Sequence, residues 1–232
     1  MSEILAAGAD ALARLARLDP ELLEIVALSL RVSVVAVLVS AAVGLPIGAA
    51  LAVLRFPGRR LAIVLVNALM GLPPVVVGLF VYLALSRSGP LGVLGLLFTP
   101  TAMIVAQCIL VTPIVAALTR QVVEDHWREV EEQLRSLGVG PAKAVRTVLW
   151  DSRRSLVPAL LAGFGRAIAE VGAVMIVGGN IDHVTRVMTT TIALETSKGN
   201  LSLALGLGLV LLLLNVAVNA TAEVGKEWAA RT

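Results

Sequence analysis

Five long apolar stretches alternate with polar segments along the chain. They cover residues 25–54, 61–85, 93–119, 156–178 and 201–222, with the cleanest part of the first running from Ser33 to Leu54. Each reaches the ~20 residues that a helix needs to cross a bilayer. A strand reading fails, because lipid offers no partner to an open sheet edge. The pattern predicts an all-α integral membrane protein of about five transmembrane helices. Short polar connections, "RFPGRR" and "SRSGPLG", join the first three stretches. A longer "GNIDHVTRVMTTTIALETSKGN" lies before the last.

The segment between the third and fourth stretches has a different period. From Val123 to Leu137 the apolar residues are Val123, Trp127, Val130, Leu134 and Leu137. Steps of four and three put them on one face of a helix. Glu124, Asp125, Arg128, Glu129, Glu131, Glu132 and Arg135 make the opposite, wet face. Gly138 suits the left-handed residue that ends a helix, and Pro141 the first turn of a new one over 141–149. The expectation is a helix–turn–helix whose apolar stripe nothing in its own chain covers. A partner's groove accepts such a stripe. The other reading is a hairpin lying on lipid, which the excess of acid over base from 124 to 132 disfavours on an anionic surface.

Composition agrees with membrane immersion: 58% of the 232 residues are hydrophobic, only 15% are charged, and mean hydropathy is +0.92. The net charge of +3 is read as loop arginine and lysine, not as nucleic-acid binding. Placing the N-terminus outside puts twelve basic residues on the inner side, from Arg55, Arg59 and Arg60 through the hairpin to Lys226 and Arg231. The outer side then holds Arg14, Arg17, Arg87, Arg186 and Lys198. That imbalance predicts an N-out, C-in protein of the cell (plasma or inner) membrane, with the hairpin in the cytoplasm. The expected organisation is an extracytoplasmic segment 1–24, one transmembrane domain 25–222 and a cytoplasmic tail 223–232, with no appended regulatory domain. Residues 121–155 form its inner loop and 179–200 its outer segment. The N-terminus lacks the pattern of a cleaved signal peptide. Cys108, the only cysteine, sits in an apolar run and is read as packing.

On these residues the chain resembles the permease subunits of ABC-type importers. Their coupling loop carries Glu-Ala-Ala, three residues, Gly, nine residues and Ile-x-Leu-Pro. Set on Gly138, Glu132 meets the glutamate and Val148 the isoleucine, while Gln133, Leu134, Trp150 and Asp151 depart from the pattern. "LNALMGLPPVVVGLFVYLALSRSGPLG", "LLFTPTAMIVAQ", "GFGRAIAEVGAVMIVGGNI" and "TRVMTTTIALETSKGNL" resemble the tungstate permease branch, near the molybdate and sulfate permeases, over about Leu22 to Asn219. The resemblance implies a type I importer permease fold and a homodimer working with two ATP-binding subunits and an extracytoplasmic oxyanion-binding protein. It also implies that Val130, Glu132, Leu134, Leu137, Gly138, Pro141, Val145 and Val148 couple to the ATPase. It makes 179–200 a re-entrant outer element, with Thr189, Thr190 and Thr191 near the gate.

Within the spans, Glu170 and Arg166 are costly charges four residues apart, so an ion pair is available on one helix face. It either gates the path or locks span four to a neighbour. Gly71, Pro73 and Pro74 break span two, depriving the Leu69 and Met70 carbonyls of helical partners. A break at membrane depth either lines a path or is a packing kink. Gly165, Ala169 and Ala173 read as a small-residue strip for close helix approach, and Asn67, Gln107, Asn215 and Asn219 as polar links to neighbouring helices. His126 and His183 read as solitary. The chain holds no Gly-x-x-x-x-Gly-Lys-Ser/Thr loop, so ATP and Mg belong to a partner subunit, and no cofactor is expected here. A membrane enzyme would need converging His, Cys, Asp or Glu, which two distant histidines do not supply. A secondary carrier would show an inverted repeat.

Overall fold

The computed structural model describes Arg17 and residues 19–230, with side chains through Thr221. Most of the segment 1–24 and the last two residues of the tail therefore lie outside the described residues. The fold is all-α. The helices are α1 (Pro20–Val53), α2 (Arg59–Leu69), α3 (Pro74–Leu85), α4 (Pro100–Ser136), α5 (Pro141–Asp151), α6 (Val157–Ile168), α7 (Gly172–Gly178), α8 (Met188–Lys198) and α9 (Leu201–Ala230), with a single 3₁₀ turn at Gly92–Leu94. Three of these are long and apolar enough to cross a membrane, and five spans result if each of the two bent pairs, α2 with α3 and α6 with α7, is counted as one.

Several boundaries differ from the hydropathy reading. Helix α1 begins at Pro20, before the expected edge of the first span, and α9 runs on to Ala230 through what was read as a tail. Helix α4 begins at Pro100 and continues unbroken into the polar segment, so the third span and the first arm of the hairpin are one helix of 37 residues. Hydropathy sees the change of solvent, but the backbone ladder has no reason to stop there. Span four breaks after Ile168, so Ala169 and Ala173 do not continue the strip begun at Gly165.

The chain divides into two compact units. Among the described residues, one comprises those up to 35, 73–107 and 167–217, the other 36–72, 108–166 and those from 218 on. In the first, α3 and α7 pack closely: a Cβ on Gly78 would lie 2.8 Å from the Ala173 Cα, and one on Gly172 would lie 2.9 Å from Val75. In the second, α1 and α4 approach through Gly48, where a Cβ would meet the Ala116 carbonyl at 2.4 Å. Small residues thus supply the backbone contact that membrane helices use in place of a hydrophobic driving force.

Candidate functional site

In the second unit, the hairpin has the expected shape. Gly138 adopts φ 68°, and the Val139 N–H bonds back to the Leu134 carbonyl, closing the first arm. Pro141 opens α5 at its first turn. The stripe, however, is largely covered by its own chain, contrary to expectation. Val123, Trp127, Ala144 and Val148 form one core with Ala49, Ala52 and Val53 at the end of α1, and Val130, Leu134, Val145 and Leu149 pack around it. Val148 is 0% exposed and lies within this core. The expected contacts that remain open are Glu132, Gly138, Pro141 and above all Leu137, 70% exposed at the tip.

The polar face is tied down by arginines. Arg59 donates from Nε to the Leu51 carbonyl at 2.7 Å and from Nη2 to Ala52, taking carbonyls of the last turn of α1. It also reaches Glu124, which pairs with Arg120. Glu131 takes Arg55 at 3.0 Å and Arg135 at 2.6 Å. This network was not read from the sequence; the run of acids opposite "RFPGRR" was the available signal.

Several expected residues flank the two breaks: Pro73, Pro74, Glu170 and Thr189 belong to the first unit, Gly71 and Arg166 to the second. Pro73 caps α3 in an extended conformation, and Gly71 and Pro73 are exposed. The Leu69 carbonyl is not orphaned, since the Leu72 N–H bonds it at 3.2 Å. Val75, in the first turn of α3, lies against Gly172, in the first turn of α7. Glu170 occupies the break before α7, so the helical spacing that set it on one face with Arg166 ends two residues too early. Its side chain is buried, with Oε1 accepting the Ala173 N–H at 3.0 Å. Thr189 Oγ1 donates to the Glu170 carbonyl at 2.7 Å, joining α8 to that break.

Glu170, Thr189, Gln107, Ser29 and Ser33 border a cavity of about 10 Å³. That is room for a single water, not a tetrahedral oxyanion. Gln107 Nε2 donates to the Ala167 carbonyl at 3.0 Å, which links neighbouring helices as expected, while its buried Oε1 meets no hydrogen-bond partner. Asn215 Nδ2 donates within its own helix, to the Leu211 carbonyl at 3.0 Å.

The other threonines bond to groups close by in the outer segment. Thr190 Oγ1 lies 2.8 Å from Asn180 Oδ1 and accepts the Val187 N–H, and Thr191 Oγ1 donates to the Val187 carbonyl at 2.7 Å. Both are fully buried. Thr185 Oγ1 donates to the Gly178 carbonyl and accepts the Ile181 N–H, and Ser29 of α1 accepts the Met188 N–H at 2.8 Å. Thr185, Thr190 and Ser29 supply partners to the backbone N–H groups of Ile181, Val187 and Met188, while Thr191 adds a second bond to a carbonyl that already accepts its own N–H.

Charged groups rim this region. His183 is not solitary: its Nδ1 lies 2.9 Å from Glu24, and that hydrogen bond, with the charges of Glu24 and Asp182, holds its pKa above the ordinary imidazole value. Arg186 pairs with Asp182 at 2.9 Å. Hydrogen bonds from Lys198 and then Asn200 hold Glu195 below the usual carboxylate range. Among the described residues, no three His, Cys, Asp or Glu side chains gather as a metal site.

Two bent spans, and a polar hairpin leading from the third span into the second of them, define a multi-pass membrane fold. Residues 44–224 match the family of binding-protein-dependent transport system inner membrane components, and the chain belongs to that family. It is a permease subunit of the ABC type. It is 42% identical to the tungstate uptake system permease protein of Peptoclostridium acidaminophilum over 202 residues, covering 87% of this chain and 89% of the relative. It is 44% identical to a probable anion ABC transporter permease protein of Haloferax volcanii over 185 residues, 78% of this chain and 80% of that one. The fold resembles that of the MetNI methionine ABC transporter in its inward-facing conformations, with a TM-score of 0.68 over 91% of this chain and 97% of the other at 18% identity. At that identity the likeness bears on the fold.

Proposed function

We propose that this chain forms the membrane path of an ATP-driven importer of a tetrahedral oxyanion, tungstate first, working as a homodimer with two ATP-binding subunits. The observation that carries the cargo is the 42% identity, over nearly the whole length of both chains, to a tungstate uptake permease. Sulfate permeases match less closely, at 28–33% identity, so sulfate or molybdate is the second reading. An extracytoplasmic oxyanion-binding protein delivers the anion at the 179–200 side. The N-terminus is outside and the C-terminus cytoplasmic, a reading supported by twelve basic residues against five.

The chain itself offers little to hold an anion tightly. Arg31 and Arg166 are the cations of the spans. Selectivity therefore rests with the binding protein, while the permease supplies an alternating path whose candidates are Gly71, Pro73, Pro74, Arg166, Glu170, Thr189, Thr190 and Thr191. The exposed hairpin tip, Glu132 through Pro141, seats the ATP-binding subunit, and motion there opens and closes the breaks. The deciding experiment reconstitutes permease, ATP-binding subunit and binding protein in vesicles and follows ATP-dependent uptake of tungstate, molybdate and sulfate. Tungstate uptake exceeding sulfate uptake is the expected result; faster sulfate uptake reverses the assignment. A purified dimer that distinguished the two anions without the binding protein would move selectivity into this chain.

A further inference from the structure

Where the hairpin returns to the fourth span, the second unit carries a groove of about 780 Å³ that the transport reading does not use. Its floor is apolar, built from Leu45 of α1 with Leu156 and Leu160 at the start of the span. Its mouth is cationic: Lys143, Arg146 and Arg153 stand there against one carboxylate, Asp151. Lys143, Arg146 and Arg153 are all exposed. Trp150 also lines the groove, 65% exposed, with the Arg153 guanidinium 4.7 Å above its ring. The same guanidinium donates from Nη1 to the Trp150 carbonyl at 2.8 Å, which fixes it over the indole.

Such a site suits an amphiphile with an anionic head. An indole at the boundary between apolar and wet surroundings is where membrane proteins place tryptophan. Clustered Lys and Arg at the edge of a span attract acidic headgroups. A free inorganic oxyanion would gain nothing from the leucine floor, and a zwitterionic lipid would bring its own cation toward Lys143 and Arg146. We infer that this groove binds an anionic phospholipid, its phosphate between Lys143 and Arg146 and its acyl chains on Leu45, Leu156 and Leu160. The inference requires a membrane-spanning chain and is independent of which anion is imported.

The test uses the permease with its ATP-binding subunit, reconstituted in phosphatidylcholine vesicles containing a small fraction of brominated phosphatidylglycerol or, separately, brominated phosphatidylcholine. Bromine quenches a tryptophan in contact with the acyl chain. The chain has three tryptophans, Trp127, Trp150 and Trp228, so the difference between the unmodified complex and Trp150→Phe isolates the one in the groove. Phosphatidylglycerol is expected to quench Trp150 at about fivefold lower fraction or better, the preference that one basic side chain near an acidic headgroup confers. The exposed double substitution Lys143→Gln with Arg146→Gln should make the two lipids equal. Equal quenching in the unmodified complex would reduce the groove to ordinary lipid contact. Absence of quenching by either lipid would mean that protein covers it. A preference surviving the double substitution would also overturn the assignment. If the double variant does not assemble, the two-lipid comparison in the unmodified complex still decides.

Discussion

The hairpin of residues 120–151 and the outer segment 179–200 are both polar interruptions between apolar spans, and they are held together by opposite means. In the hairpin, apolar side chains fill the inside, with Val123 and Val148 fully buried and Trp127 nearly so, while paired charges cover the outside. In the outer segment, hydroxyls share the inside with Val187 and Met188: Thr185, Thr190 and Thr191 are fully buried, each bonded to nearby backbone. Apolar packing tolerates small shifts, because dispersion is not directional. A buried hydroxyl on a carbonyl does not, because losing the bond leaves a desolvated group unpaired. The comparison marks the hairpin as an element that can shift under load and the outer segment as one that holds its shape.

The largest break in this comparison is a charge inside the hairpin. Val148→Asp places an uncompensated carboxylate at a fully buried position, at a cost of about 3–5 kcal/mol, so folded permease should disappear from size-exclusion profiles. Leu137→Asp at the exposed tip should leave the permease folded yet lower co-purification of the ATP-binding subunit about tenfold. If both variants fold and both retain the partner, the division between core and tip is wrong.

Glu170→Ala should cut uptake by about tenfold, in line with a lost buried hydrogen bond, with a smaller loss of assembled complex. Normal uptake in cells carrying it would remove Glu170 from the path. Thr190→Val should cost about 1–3 kcal/mol of stability and lower uptake only in proportion to folded protein. Uptake falling further than the amount of protein would place Thr190 in the gate as well as in the packing. The smallest effect is at His183. Its folded pKa is raised by Glu24, so the stabilisation is fully present below the unfolded imidazole value and is lost as pH rises through the folded one. Thermal scans of the chain and of His183→Gln should differ on the acid side of that range and converge above it.

Much of this architecture is legible in the sequence, because in lipid each span must satisfy its own backbone. The hairpin's period, its stop at Gly138 and its restart at Pro141 are local signals, and local geometry obeys them. The covering of the stripe is not local. It depends on Ala49, Ala52 and Val53, some seventy residues before Val123, and periodicity cannot say which distant residues will fill a face. Thr189 and Thr190 show the same limit on the polar side. Neighbours in sequence, one reaches the break at Glu170 and the other bonds within the outer turn, and only the fold separates them.

Arg59 carries a consequence that spans the life of the chain. On the proposed orientation it belongs to the group of cations that keeps the first inner loop from translocating. In the finished protein the same guanidinium is spent on Leu51, Ala52 and Glu124. A signal read during insertion thus becomes a clasp afterwards, and lysine, which would deliver the first message equally well, has no planar fork with which to perform the second task.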